Sequence, residues 1–294
     1  MNTKWSIGTT FRKIIMKILS IAPLMLYFFV SCSQDNADSN SRRVLAPEVS
    51  KGLGTAYPLR QISFNASDNV IVSALFGKPE SLEPRPVILL LHTLQSTKEE
   101  WLSETDLFVE LLARGYAVIA IDLRGQGGQT PLPEAREVLT AVDVQNSFRD
   151  VQAAINWLRG ESAIDSDRIA LIGNGSGGNV AYVSSGVFPE QIRTTVSLSP
   201  GLWQASTLEP LVVGDGLSSF GTARSMLFLV GESDQLPVSD GVALKYADFA
   251  RNLMAVTEIP KDLKIFDSAA HGFDLLTEVP EAKEIIFQWL EENL

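Results

Sequence analysis

The sequence predicts an α/β fold: a mostly parallel sheet of about eight strands, with an antiparallel hairpin at its N-terminal side and helices on both faces. Three observations predict it. Short continuous apolar runs recur along the chain and alternate with segments of helical spacing, the pattern of repeated βα units around a sheet buried on both faces. A glycine-rich turn, Gly173-Asn174-Gly175-Ser176-Gly177-Gly178, joins one such run directly to a helical pattern. Polar residues able to do chemistry follow the strands, namely His92, Asp122, Ser176, Asp234 and His271. In open sheets of this kind ligands sit at the carboxyl ends of the strands, so one crevice is expected to collect all five.

The first two strands, 59–64 and 70–76, are joined through Ser67-Asp68-Asn69, a turn-forming tip that makes them a hairpin. Residues 87–91 form a buried strand. A helix is expected over 101–113, where Trp101, Leu107, Phe108, Leu111 and Leu112 share one face, and it stops at Arg114-Gly115. Strand 116–121 follows, then a loop with Pro131 and Pro133, then a helix over 144–158 with Val144, Phe148, Val151, Ile155 and Leu158 on its apolar face. The remaining strands are 169–172, 194–198, 226–230 and 263–266, with helices over 243–254 and 282–292. Between Trp203 and Ala223 apolar residues recur without a clear long helix, which suits either an apolar pocket lining or a cover for the sheet.

The N-terminus lies outside this fold. Lys4, Arg12, Lys13 and Lys17 precede an apolar stretch at 18–30, too short and too one-sidedly charged for a membrane span. Residues 1–31 therefore read as a signal peptide, residues 32–55 as a flexible tether and residues 56–294 as the folded domain. Cys32, the single cysteine, stands in Phe29-Val30-Ser31-Cys32, which resembles a bacterial lipobox. The resemblance implies export, lipidation of Cys32 and anchoring to a bacterial membrane, facing the periplasm or the cell surface. One cysteine allows no internal disulfide. The formal charge is −11, and the first 31 residues hold four basic and no acidic groups, so a chain starting at Cys32 is more acidic still. Such a surface repels nucleic acid, which is excluded as a partner.

The glycine-rich turn has the strand-turn-helix context of a nucleophile elbow, G-x-S-x-G. Two registers fit. In Gly173-Asn174-Gly175-Ser176-Gly177 the nucleophile position falls on Gly175, which has no side chain; shifted by one, it falls on Ser176 and the first glycine becomes Asn174. The first register suits the strained backbone of an elbow, where positive φ costs a serine about 1–3 kcal/mol and a glycine almost nothing. A base and a carboxylate are also present. His271, in Ala270-His271-Gly272, lies between the last strand and the last helix, and Asp234, in Gly231-Glu232-Ser233-Asp234, follows the preceding strand. A carboxylate that orients an imidazole beside a hydroxyl is the arrangement of a Ser-His-Asp site, and Glu232 is the weaker alternative acid. With two histidines in different loops and one cysteine, the sequence offers no metal cluster, and the glycine-rich turn lacks the lysine of a phosphate loop, so no cofactor is expected.

Residues 59–294 resemble α/β hydrolases of the dienelactone-hydrolase and esterase/lipase-like group. The likeness is carried by Val87-Ile88-Leu89-Leu90-Leu91-His92-Thr93-Leu94, by Asp122-Leu123-Arg124-Gly125-Gln126-Gly127, and by the acid and base loops. It implies hydrolysis of a small carboxylic ester or lactone, with Leu94 N–H and the N–H of Gly177 (or of Ser176, if Gly175 is the elbow) as oxyanion donors. His92 is then structural. Thr93 departs from the glycine usual in that turn and Gln126 from a histidine. Two readings stay open: a serine hydrolase acting through Ser176, and a binding protein that keeps His271 and Asp234 but has no nucleophile. Slow hydrolysis by water activated on His271 is a third.

Overall fold

A nine-stranded sheet carries the fold. Its order is β1 (Arg43–Val44), β2 (Leu59–Asn65), β3 (Ile71–Gly77), β5 (Ala117–Ile121), β4 (Arg85–Leu91), β6 (Ile164–Asn174), β7 (Thr194–Leu198), β8 (Arg224–Gly231) and β11 (Glu258–Phe266). The first three strands and β5 pair antiparallel, and every pair from β5 to β11 is parallel. This is the mostly parallel α/β sheet with an antiparallel start that the sequence predicts, the two-residue β1 being the addition. The structure, a computed structural model, describes residues 43–44, 57–81, 83–127, 130–133, 139–201, 222–237 and 243–294. Within the expected tether, 32–55, Arg43–Val44 are corrected: they pair with β2 as an edge strand of the sheet. The expected signal peptide, Cys32, the rest of the tether and residues 203–221 of the apolar insertion lie outside the described residues.

The central strands are apolar throughout because both of their faces are covered. Ile88 and Leu90 of β4 pack with Trp101, Phe108 and Phe287 on one side, while Val87, Leu89 and Leu91 pack with Val151, Ile155 and Val180 on the other, the alternation that a pleated strand imposes. On the first face lie α1 (Glu100–Ser103), α2 (Leu107–Ala113), α7 (Phe273–Glu278) and α8 (Pro280–Asn293). On the second lie α4 (Phe148–Arg159) and α5 (Ser176–Val187). A third cluster joins Tyr182 and Val183 of α5 to Met226 and Phe228 of β8 and to α6 (Tyr246–Val256).

Several expected elements are corrected. The single helix at 101–113 is two, α1 and α2, separated where Thr105 turns its hydroxyl to accept from Leu107 N (3.3 Å), a side-chain bond that competes with the helix. The helix at 144–158 likewise divides into α3 (Ala141–Gln145) and α4; Thr140 and Asp143 form a capping box on α3, and Ser147 Oγ donates to Asp143 O at the break (3.2 Å). Residues 243–245 are not helix but a short strand, β10 (Ala243–Lys245), paired antiparallel with β9 (Gln235–Pro237). The last strand begins at Glu258 rather than 263, and Pro260 is tolerated there because β11 is an edge strand with a register irregularity before Lys261.

The chain order reverses direction across the sheet between β4 and β6, since β5 lies on one side of β4 and β6 on the other. That switch point opens a crevice at the carboxyl ends of the two strands. Leu91 of β4 is paired with Gly173 of β6, so Thr93 and Gly175, each two residues further on, leave the sheet side by side.

Candidate active site

Packing decides the register of the glycine-rich turn. A β-carbon on Gly173 would run into the backbone of Gly177 and Gly178, and one on Gly177 would lie 2.5 Å from His92 O and closer still to Leu91 O. Backbone therefore passes both glycines too closely for any side chain, as an elbow centred on residue 175 requires. Gly175 itself has φ 53 and ψ −113, a left-handed conformation, and its N–H donates to Leu198 O (2.9 Å). A β-carbon built on it would point at His271, 3.6 Å from Nε2, and would stand 2.6 Å from Thr93 Oγ1.

Ser176, the nucleophile candidate of the other register, is not brought to His271: it is the first residue of α5, and its buried Oγ has no hydrogen-bond partner among the described residues. Gly177, its expected oxyanion neighbour, is instead the residue that lets α5 approach β4. In this register the amide after the elbow belongs to Ser176. Neither Ser176 N nor Leu94 N has an acceptor among the described residues. For Ser176 this follows from its place at a helix start, where the first amides have no partner within the helix.

Asp234 and His271 are brought together from the loops after β8 and β11. Asp234 Oδ2 lies 2.9 Å and Oδ1 3.1 Å from His271 Nδ1. Asp234 is 2% exposed. Because a carboxylate only accepts, Nδ1–H is the donor of this contact, and Nε2 is the ring nitrogen turned toward Gly175. Three contacts hold the pair. The Tyr246 ring lies 4.4 Å from the imidazole, Tyr246 N donates to Asp234 O (3.0 Å), and Gly272 N donates to Ser199 Oγ (3.0 Å). Glu232, the alternative acid, is drawn away to Arg251 and Lys245 on the surface.

The turn after β4 is fixed from several sides. His92 is fully buried; its Nδ1–H donates to Thr93 O (2.6 Å) and its Nε2 accepts from Leu123 N (3.0 Å). Burial holds its pKa below the ordinary histidine value, so it is a neutral structural bridge. Thr93 N donates to Glu100 Oε1 (3.0 Å), a buried carboxyl whose pKa burial pushes up. Asp122 accepts from Lys98 N and Lys98 Nζ, both at 2.8 Å, and Gln95 N donates to Gln126 Oε1 (2.8 Å). Arg124 is spent on Asp150 and Asp68. The expectation that one crevice collects all five strand-end residues is thus corrected: His92 and Asp122 are buried beneath it, bracing its loops. Glu100, Tyr246 and Ser199 are the residues that sequence reasoning missed.

A family model of the alpha/beta hydrolase fold matches residues 86–238, from the second residue of β4 to just past β9. The chain belongs to the alpha/beta hydrolase fold family. Among curated proteins, this hydrolase-fold chain is 27% identical over 173 residues to a probable 2-oxo-3-(5-oxofuran-2-ylidene)propanoate lactonase of Bradyrhizobium sp., a match covering 57% of this chain and 66% of the relative. It is 26% identical over 128 residues to the monoacylglycerol lipase ABHD6 of Mus musculus, covering 44% of this chain and 34% of the lipase. The chain thus spans less than two thirds of either relative. Among solved structures, the Pyrococcus furiosus esterase Pf2001 superposes with a TM-score of 0.62 at 19% identity, covering 86% of this chain and 99% of the esterase. An acetyl xylan esterase from Paenibacillus sp. R4 superposes with a TM-score of 0.59 at 15% identity, covering 100% of this chain and 97% of that one. At these identities the structural likeness speaks for the fold. Among the described residues no group of three or more His, Cys, Asp and Glu is placed to hold a metal ion.

Proposed function

We propose that this alpha/beta hydrolase binds small carboxylic esters or lactones without forming an acyl-enzyme at its elbow. The observation that carries the reading is Gly175: its backbone has the elbow conformation and its missing side chain would face His271 Nε2. The acid and base are retained, and the amides of Leu94 and Ser176 are left to receive a carbonyl oxygen. Loss of the nucleophile from such a set costs about 10⁶ in turnover but leaves binding and oxyanion stabilisation in place. The likeness to a lactonase and to esterases supports the ligand class and, with the strand-end motifs, a place near the dienelactone-hydrolase group. The His271–Asp234 pair supports a second, slower activity in which imidazole Nε2 takes a proton from water attacking the bound carbonyl.

The test is binding and turnover measured on one preparation of the full chain. δ-Valerolactone is expected to raise the melting temperature, while p-nitrophenyl acetate is hydrolysed no faster than by His271→Ala plus the slow water reaction. A burst of p-nitrophenol that disappears in Ser176→Ala would overturn the reading.

Export and lipid anchoring through Cys32 are proposed as well, supported by the basic and apolar leader and by Phe29-Val30-Ser31-Cys32. The acidic domain would then stand off the membrane on the polar residues 33–40. Cys32→Ser is expected to move the protein from the membrane fraction of a bacterial host to a soluble one; retention in the membrane would refute the anchor.

A further inference from the structure

The elbow's missing side chain has a counterpart on the adjacent strand. Thr93 leaves β4 beside Gly175, and its Oγ1 lies 2.6 Å from the point a Gly175 β-carbon would occupy. His271 Nε2 lies 3.6 Å from that same point. The hydroxyl and the imidazole therefore converge on the space a nucleophile's side chain needs. The Thr93 backbone is tied on both sides. Its N–H is bound to Glu100, its carbonyl accepts from His92 Nδ1 and from Ser96 N, and both carboxyl and imidazole are buried.

We propose that Thr93 stands in for the elbow side chain: the hydroxyl at the elbow comes from the neighbouring strand end, and Thr93 is the specificity-determining group that a bound carbonyl carbon meets. This rests on the reading of Gly175 as an elbow without a nucleophile. It makes residues 93 and 175 a reciprocal pair, so that a serine returned to 175 is obstructed as long as Thr93 is present. The rest of the constellation is intact behind that one side chain. With the obstruction gone, the restored hydroxyl would give its proton to His271 Nε2 as its oxygen bonds to the ester carbonyl carbon. The imidazolium would then return that proton to the departing alkoxide, and water would release the acid by the reverse route.

Two readouts on the full chain test the pair. The first needs no activity. Gly175→Ala is made in the parent and in Thr93→Ala, and the strain of positive φ, common to both backgrounds, cancels in the comparison. The fall in melting temperature is expected to be larger by about 3 °C or more when Thr93 is present. Equal falls in both backgrounds would overturn the proposal. The second is hydrolysis of p-nitrophenyl acetate by Gly175→Ser and by Thr93→Ala/Gly175→Ser. The double variant is expected to be faster by about 10²-fold, the effect of an ångström-scale misplacement of a reacting group. A single variant as fast as the double would overturn the proposal too. A parent that itself forms an acyl-enzyme would instead overturn the function proposed above, and the melting comparison would still decide the pair.

Discussion

Gly177→Ala is the sharpest test of the packing that sets the register. The new methyl carbon would lie 2.5 Å from His92 O and nearer still to Leu91 O, whereas ordinary contact begins at 3.4 Å. Relief requires about an ångström of separation between α5 and the end of β4. Neither side moves freely, because β4 is paired on both edges, with β5 and β6, and α5 is buried along almost its whole length. Overpacking of a close-packed site costs about 1–3 kcal/mol, and rigid backbone on both sides puts this case near the upper end. For a domain of this size that corresponds to a fall in melting temperature of about 6–12 °C. Gly160→Ala is the internal control. It makes the same chemical change at the end of α4, where the nearest atom would be Trp157 O at 3.5 Å and φ is −91, so thermal unfolding followed by circular dichroism should be unchanged or slightly raised. A Gly177→Ala protein that melts within about 2 °C of the parent would refute the claim that backbone contact, and hence the elbow register, makes this residue glycine.

Other outcomes follow from the loops that brace the site. Lys98→Met leaves the Asp122 carboxylate fully buried with one backbone donor, and should destabilise the fold by about 3–5 kcal/mol in urea unfolding, whereas Lys98→Met/Asp122→Leu should recover most of the loss. Glu100 is expected to make stability depend on pH. Burial raises its folded-state pKa above the unfolded value, so its contribution is fully present below the ordinary carboxylate range and is lost as pH rises through the folded value. Glu100→Gln should therefore gain melting temperature relative to the parent between about pH 4 and pH 7, and a difference that is constant across that range would contradict it. Tyr246→Ala removes the ring 4.4 Å from the imidazole, and should broaden the His271 ring resonances in NMR while leaving those of the buried His92 unchanged.

The parallel sheet was legible because strands covered on both faces, such as 87–91 and 117–121, are uninterrupted apolar runs with few other uses in a chain of this size. Helix breaks at Thr105 and Asn146 were not, because the apolar spacing continues across them; what stops the helix is a side chain bonding to nearby backbone. Asp234 and His271 could be singled out because each follows a strand, and the structure has them 2.9 Å apart. The elbow register could not be fixed from the sequence, since a run of glycines at 173, 175, 177 and 178 satisfies two spacings and only contact with β4 separates them. Nothing in Lys98-Glu99-Glu100-Trp101 distinguishes Glu100 from its charged neighbours, yet it shares the start of α1 with buried Trp101 and turns inward to Thr93 N. Thr93 registered as a departure from a motif; that it fills the space beside Gly175 depends on the pairing of Leu91 with Gly173, which is a fact of register between residues 82 positions apart in the chain.

The most direct test of the central claim, that the elbow of this hydrolase fold carries no nucleophile, is the intact mass of the full chain after incubation with a fluorophosphonate probe. Gly175 at the elbow predicts no adduct on the parent, and an adduct on the peptide spanning position 175 once Thr93→Ala/Gly175→Ser is made. A stoichiometric adduct on the parent that maps to Ser176 and vanishes in Ser176→Ala would contradict the account.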